Sequence, residues 1–271
     1  MNARAIRAII RKDLKVVSRN KGVMLPIIIA PLFMFVILPW IAPAMPFLGE
    51  LFGVTPDDAQ GLISQMPAGI KQEFSGYDLY QGFAIYFLVY IMASFFLIIP
   101  LMVSSVIAAD SFAGEKERKT MEALLYTPTT DRELFIGKLL SGWLAAIAVA
   151  FVSFVLYAIM ANAAAWTYTH RIFFPNTMWL VLILWMVPAI PGLGLGVMVL
   201  VSARAQGFQD AYQIGNLIVL PLVFLAVGQV SGVLSFSVTL VFLVGLVIWL
   251  LDGLLIWLGS RSFRRDRLLS A

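Results

Sequence analysis

Apolar residues along this chain gather into six runs, separated by short polar stretches. They cover residues 24–44, 82–108, 139–161, 177–201, 214–230 and 236–258. About 20 apolar residues carry a helix across the roughly 30 Å hydrocarbon layer of a bilayer, and the fifth run only just approaches that length. The pattern predicts an all-α, polytopic integral membrane protein with six transmembrane helices. Residues 2–20 precede the first run and have helical period. Ile6, Ile9, Ile10, Leu14 and Val17 share one side, and Arg4, Arg7, Arg11, Lys15 and Arg19 the other. That arrangement predicts an amphipathic helix lying on the membrane surface. Asp13 breaks the pattern on the apolar side, and a neighbouring arginine or a partner protein is the expected answer to its charge.

The other polar stretches differ in character. Residues 45–80 carry Glu50, Asp57, Asp58, Glu73 and Asp78 against Lys71 alone. Residues 162–176 hold His170 and Arg171, with Trp166, Tyr168, Phe173 and Phe174 as an expected interfacial belt. Residues 231–235 turn the chain and leave open a re-entrant pair of short helices. The fourth run is broken by Pro188 and Pro191, which are followed within it by Gly192, Gly194 and Gly196. No strand precedes these glycines, so they predict a kinked, closely packed helix and not a nucleotide fingerprint. Phe83, Tyr86, Phe87 and Tyr90 form an aromatic stripe in the second run. Packing or a lipid belt is its ordinary meaning, and a transport pathway is the functional alternative.

The densest charge lies between the second and third runs, in residues 109–138. Asp110, Glu115, Lys116, Glu117, Arg118, Lys119 and Glu122 fall within thirteen residues, with signs alternating as on a solvated helix face. Pro128 stops that helix. Thr130-Asp131-Arg132-Glu133 then reads as a capping box that starts the next. Helix, break, helix is the expected order. The elbow is open to two readings, a solvated hairpin or a docking surface.

The residues themselves favour the second. GEKERKTMEALLYTPTTDRELFIGK resembles the first cytoplasmic loop of the type 2 ATP-binding-cassette (ABC) permeases, through Gly114, Glu115, Glu117, Arg118, Thr120, Glu122, Leu124, Leu125, Pro128, Glu133, Leu134, Gly137 and Lys138. Lys119 departs from the commonest form, which has glycine there. Arg11-Lys12-Asp13-Leu14 and Arg19-Asn20-Lys21 likewise resemble the basic segment that leads into that family's first span. The resemblance implies a working unit of two permease copies and two ABC ATPase subunits, a homodimer being expected of the permease. The elbow's short coupling helix would enter a cleft of the ATPase, through Gly114, Glu115, Glu117, Arg118, Lys119, Thr120, Glu122, Leu124 and Leu125. ATP and Mg would be bound by the ATPase and no cofactor by this chain. Most relatives with this loop export.

Composition agrees with a membrane protein: 61% hydrophobic, 13% charged, mean hydropathy +0.92. Soluble domains average about 45–50% apolar and about 25% charged. The net charge of +4 reflects topology, since seventeen of the nineteen lysines and arginines fall on the side of the two termini and the elbow. By the positive-inside bias that side is cytoplasmic, which fits the plasma membrane of a prokaryote. Anionic membrane lipid explains the charge, so no nucleic-acid partner is expected. A signal peptide is the rival for the first run, because Ala42-Pro43-Ala44 imitates a cleavage site, but the basic segment before it is too long and too amphipathic. One histidine and no cysteine leave no expected metal site. No phosphate-binding G-x-x-x-x-G-K-S/T occurs, so the chain is not expected to be an enzyme. Asn216, Gln229 and Asp252 are the polar candidates inside the spans. Asp252 is expected to face protein or a wet cavity, with Asn216 or Lys138 as partner. Two alternatives remain: a non-transporting membrane scaffold, and a secondary transporter, which would want repeated halves and several ionisable groups at midplane.

Overall fold

The computed structural model describes residues 2–44, 76–120, 129–205, 207–230 and 236–262, with residues 47, 51, 57, 60, 61 and 64 between the first two ranges. Helix α1 (Ala3–Arg19) is followed, after Asn20 alone, by six helices long and apolar enough to cross a membrane: Lys21–Ala44, Tyr80–Glu117, Asp131–Thr167, Thr177–Ser202, Phe208–Gln229 and Val238–Ser260. The fold is therefore the all-helical, six-span one read from the sequence. Several boundaries move. The second helix runs nine residues past the expected end at 108, and the fifth begins at Phe208 and not at 214. Hydropathy marks where apolar sequence stops, whereas a helix continues as long as its polar side chains find partners, as those after residue 109 do. At 1.5 Å per residue the second helix, of 38 residues, is roughly 57 Å long, well beyond a bilayer core. The turn at 231–235, the arginines at 264, 265 and 267, and most of 45–75 lie outside the described residues.

Spans two and four form the centre, with 83% and 61% of their apolar windows buried, while the other four lie between 22% and 28%. The Gly-x-Gly-x-Gly stretch explains how span four sits among so many neighbours. Successive glycines point to opposite sides of the helix. A Cβ on Gly192 would collide with the Asp252 carboxylate of span six, one on Gly194 with Ser104 of span two, and one on Gly196 would lie 2.7 Å from Leu255. Small residues let helix backbones approach where lipid supplies no hydrophobic drive. Spans four and six run in the same direction along a seam. Trp185 meets Gly245, Gly192 meets Asp252, and Val199 meets Gly259, a seven-residue step on both helices.

An aromatic core closes the end of the bundle remote from the elbow. Trp179 stacks on Tyr157 and meets Phe174 and Phe96 edge-on, at centroid distances of 5.2, 4.8 and 5.3 Å. A π turn over Phe87–Ile91 displaces the regular hydrogen-bond ladder of span two. Two carbonyls inside it take side-chain donors: Leu88 accepts from the Tyr157 hydroxyl, and Val89 from the Trp179 indole at 2.7 Å. Phe174 belongs to this core and is buried, which corrects its expected place in an interfacial belt. The cause is Asn162, whose side chain bonds the Phe173 and Phe174 amides and the Phe174 carbonyl and so draws the connecting loop inward.

Candidate functional site

Three chain segments converge at the base of the elbow. Span three starts with the capping box read from the sequence: the Thr130 hydroxyl accepts from the Glu133 amide, and a Glu133 carboxylate oxygen accepts from the Thr130 amide at 3.0 Å. The other Glu133 oxygen accepts from the Asn2 amide at 2.6 Å, tying down the start of α1. One turn later Gly137 lets α1 come close, since a Cβ there would lie 2.9 Å from Ile9. Asp13 in turn accepts from Ser141 at 3.3 Å. Helix α1 thus follows the first turns of span three, meeting Glu133, Gly137 and Ser141 in order.

Between these helices and the end of span two lies a compact charged node. Glu115 bridges two lysines, with Lys12 Nζ 2.6 Å from one oxygen and Lys138 Nζ 2.5 Å from the other. Lys12 also pairs with Asp13 at 2.8 Å, and Lys138 donates to the Ser111 carbonyl at 2.7 Å. Beside it, Arg118 pairs with Asp110 at 2.9 Å, and Asn20 donates to the same carboxylate at 3.3 Å. Two lysines face two carboxylates and one arginine faces one, so the node is neutral. Neutrality matters because Lys138, Asp13, Asp110 and Glu115 are buried, and an unpaired buried ion costs several kcal/mol. Lys138 also lies 5.5 Å from the centroid of the Phe112 ring, a favourable position for a cation. Burial works against the Lys12 charge, but Asp13 and Glu115 together raise its pKa above the ordinary lysine value.

The candidate coupling residues divide between this interior and the surface. Glu115 is inside, which corrects its place on a solvated helix face, and Asp110 is buried with it. The reason is long-range: their cations come from α1, span three and the turn after span two. Gly114 is also buried, where a Cβ would crowd Arg118 Nη1 at 3.1 Å and Asp110 at 3.2 Å. Glu117, Arg118, Lys119 and Thr120 are exposed and Lys116 partly so. Glu117 reaches across to accept from the Phe208 amide at 2.9 Å, where its charge suits the start of the span-five helix. Lys119 has φ +56°, in the left-handed region that glycine enters without steric cost. This backbone suits the glycine common at that position in the resembling loops. The Thr120 hydroxyl donates to the Glu115 carbonyl at 3.3 Å. Glu122, Leu124, Leu125 and Pro128 lie outside the described residues.

The intramembrane candidates fall into separate places. Tyr86 and Tyr90 are buried and stacked at 5.5 Å, and the Tyr86 hydroxyl donates to the Gln229 carbonyl at 3.0 Å. The Gln229 side chain accepts from Ser94, so the structure unites these residues in a polar seam between spans two and five. Phe83 and Phe87 flank it, partly buried. Asn216 is exposed, and Asp252 is buried against Gly192 with no hydrogen-bond partner for either oxygen among the described residues. Neither Asn216 nor Lys138 is the partner of Asp252, as the sequence reading had expected, because Lys138 is committed to Glu115 and Ser111. Sequence reasoning missed Lys12 as a member of the node. Its signal was Asp13, a carboxylate on an apolar helix face with a lysine adjacent, answered by that lysine and not by an arginine.

No curated protein matches the chain. The sequence profile of the ABC-2 family transporter proteins matches residues 7–239, from the second turn of α1 to the start of the sixth span. With six spans and a family profile over most of its length, this chain belongs to the ABC-2 transporter family and is a permease of an ABC-type transporter.

Proposed function

We propose that the chain forms the translocation pathway of an exporter as a homodimer, each copy engaged by one of two separate ABC ATPase subunits that bind ATP and Mg. The elbow over residues 109–138 is the coupling element, and it lies with both termini on the cytoplasmic side of a prokaryotic plasma membrane. One observation carries the coupling role. The exposed turn from Lys116 to Thr120 grows directly out of a neutral node that grips α1, span two and span three, while Glu117 holds the start of span five. A push on that turn is therefore delivered to four elements together. Buried ion pairs with short hydrogen bonds resist separation, because breaking one strands a charge. The orientation is supported by the one-sided distribution of lysine and arginine. Homodimerisation and export rest on the family.

The experiment uses the absence of cysteine. A single cysteine at Lys119, introduced as Lys119→Cys in a tagged chain, is expected to cross-link to a co-purifying ABC ATPase, whereas Trp166→Cys at the far end is not. Equal cross-linking at both positions, or no ATPase in the purified material, would leave the elbow a solvated hairpin.

A further inference from the structure

Among the described residues, the buried charged groups Asp13, Asp110, Glu115, Glu133 and Lys138 all have ion-pair or hydrogen-bond partners. Asp252 is the exception: it is 3% exposed, and neither carboxyl oxygen has a partner. It stands in span six, eight residues and so roughly 12 Å before the Ser260 end of the helix. The neighbouring Leu250, Leu251 and Leu254 are exposed and turn apolar surface to the bilayer, so water does not reach the group from that side. Span six packs mainly against span four, and residues 177–202 hold no Asp, Glu, Lys, Arg or His. Span three meets span six at Phe135, level with Gly259, but its cation, Lys138, is committed to Glu115 and Ser111. On span six itself Arg261 follows nine residues later, roughly 14 Å along the axis.

An ionised carboxylate in this place would be a buried charge with neither counter-ion nor hydrogen-bond donor, which an apolar interior does not tolerate. A proton removes the charge and needs no further ligand. A metal cation would want several oxygens around it, and Gly192, Gly196, Val199, Leu255 and Gly259, which line this seam, offer no side-chain oxygen. We propose that Asp252 is a proton-binding site inside the membrane, holding a proton while spans four and six are closed on it and giving that proton to water when the seam opens. The O–H bond of the carboxyl group breaks, water takes the proton, and the charge left behind opposes closure. Binding of the proton and closure of the seam therefore favour each other. The proposal rests on reading the chain as a membrane permease but is independent of its coupling to an ATPase.

Because the chain has no cysteine, one engineered pair can lock the seam. The Val199 Cβ would lie 3.7 Å from a Cβ on Gly259, a spacing that suits a disulfide, so Val199→Cys with Gly259→Cys joins the two spans. The full chain with this pair, in phosphatidylcholine vesicles, would be followed by infrared spectroscopy from neutral to alkaline pH, since the carbonyl stretch of a neutral carboxyl group stands apart from carboxylate bands. At neutral pH the band of a neutral carboxyl is expected, and Asp252→Asn in the same background should lose it. Raising the pH should abolish the band in the reduced chain while the disulfide-locked chain keeps it. The rate of disulfide formation is a second readout. Relative to the Asp252→Asn chain, which corrects for the thiols' own pH dependence, it should fall at alkaline pH as the seam opens. Absence of the band, its survival in the folded Asp252→Asn chain, or the same pH dependence in locked and reduced chains overturns the proposal. The comparison of locked with reduced chain keeps Asp252 in place, so it decides the matter even if the amide variant is unstable. Failure of ATPase coupling alone would leave both readouts untouched.

Discussion

Lys138 has 1% of its surface exposed, and its charge is held by one carboxylate, one carbonyl and one ring. Lys138→Met should strand Glu115 with Lys12 alone and leave the node with excess negative charge, destabilising the fold by about 3–5 kcal/mol. Glu115→Gln added to it restores neutrality and should recover a large part of that loss. Melting curves of the two variants in detergent provide the check, and two additive losses would show that the lysine and the glutamate act independently. The Lys12 ammonium has its pKa raised, so its contribution is complete below the ordinary value of 10.5 and is lost as pH rises through the higher folded value. This group alone should add no pH dependence to the melting temperature near neutrality. Asp252 behaves differently because its carboxylate is packed directly against Gly192. Gly192→Ala should disrupt assembly by driving a methyl group into the carboxylate, and Asp252→Ala should suppress that defect in the double variant. Asp252→Asn, which keeps the size, should assemble normally by size-exclusion chromatography. Transport then separates its roles: loss with ATP hydrolysis retained marks the pathway, and unchanged transport marks packing.

At the scale of elements, the π turn in span two and the aromatic core stabilise each other. Tyr157→Phe keeps the ring stacked on Trp179 but leaves the Leu88 carbonyl without that donor in a dry interior, a loss of about 1–3 kcal/mol. A lower melting temperature with unchanged helix content is expected by circular dichroism, and an unchanged melting temperature would mean that the carbonyl finds another donor. Such features also mark what can be read from sequence. The six spans were legible because each apolar run carries its own signal, and the Thr130–Glu133 box because its partners stand three residues apart. The node was not. Lys12 and Glu115 are 103 residues apart, and nothing local to either names the other. The elbow motif was recognised, but Glu115 and Lys138 proved to be joined to each other inside the bundle. The π turns were invisible because a one-residue widening leaves no mark in apolar sequence. The partner of Asp252 was misjudged because helical phase gives a side chain's direction on its own helix and not the helix that meets it.

At the scale of the whole molecule, two buried central spans, a short N-terminal helix and a charged elbow form one connected framework. Its orientation is open to direct test. A protease added to intact cells should cut a tag within residues 53–61 and spare tags at either terminus. Cleavage of the terminal tags would reverse the assignment of sides. The central claim is that the elbow passes ATPase work to the spans through the node. Charge reversal at Lys116 and Lys119 probes the exposed turn without touching Asp110, Glu115 or Lys138, whose pairs hold the fold. The most direct measurement is ATP hydrolysis by the co-purifying ABC ATPase in proteoliposomes, with the native chain, with the Lys116→Glu, Lys119→Glu variant, and with no permease. The native chain is expected to raise the hydrolysis rate and the variant to fall toward the permease-free rate while remaining folded. Equal hydrolysis with native chain, variant and no permease would contradict the account.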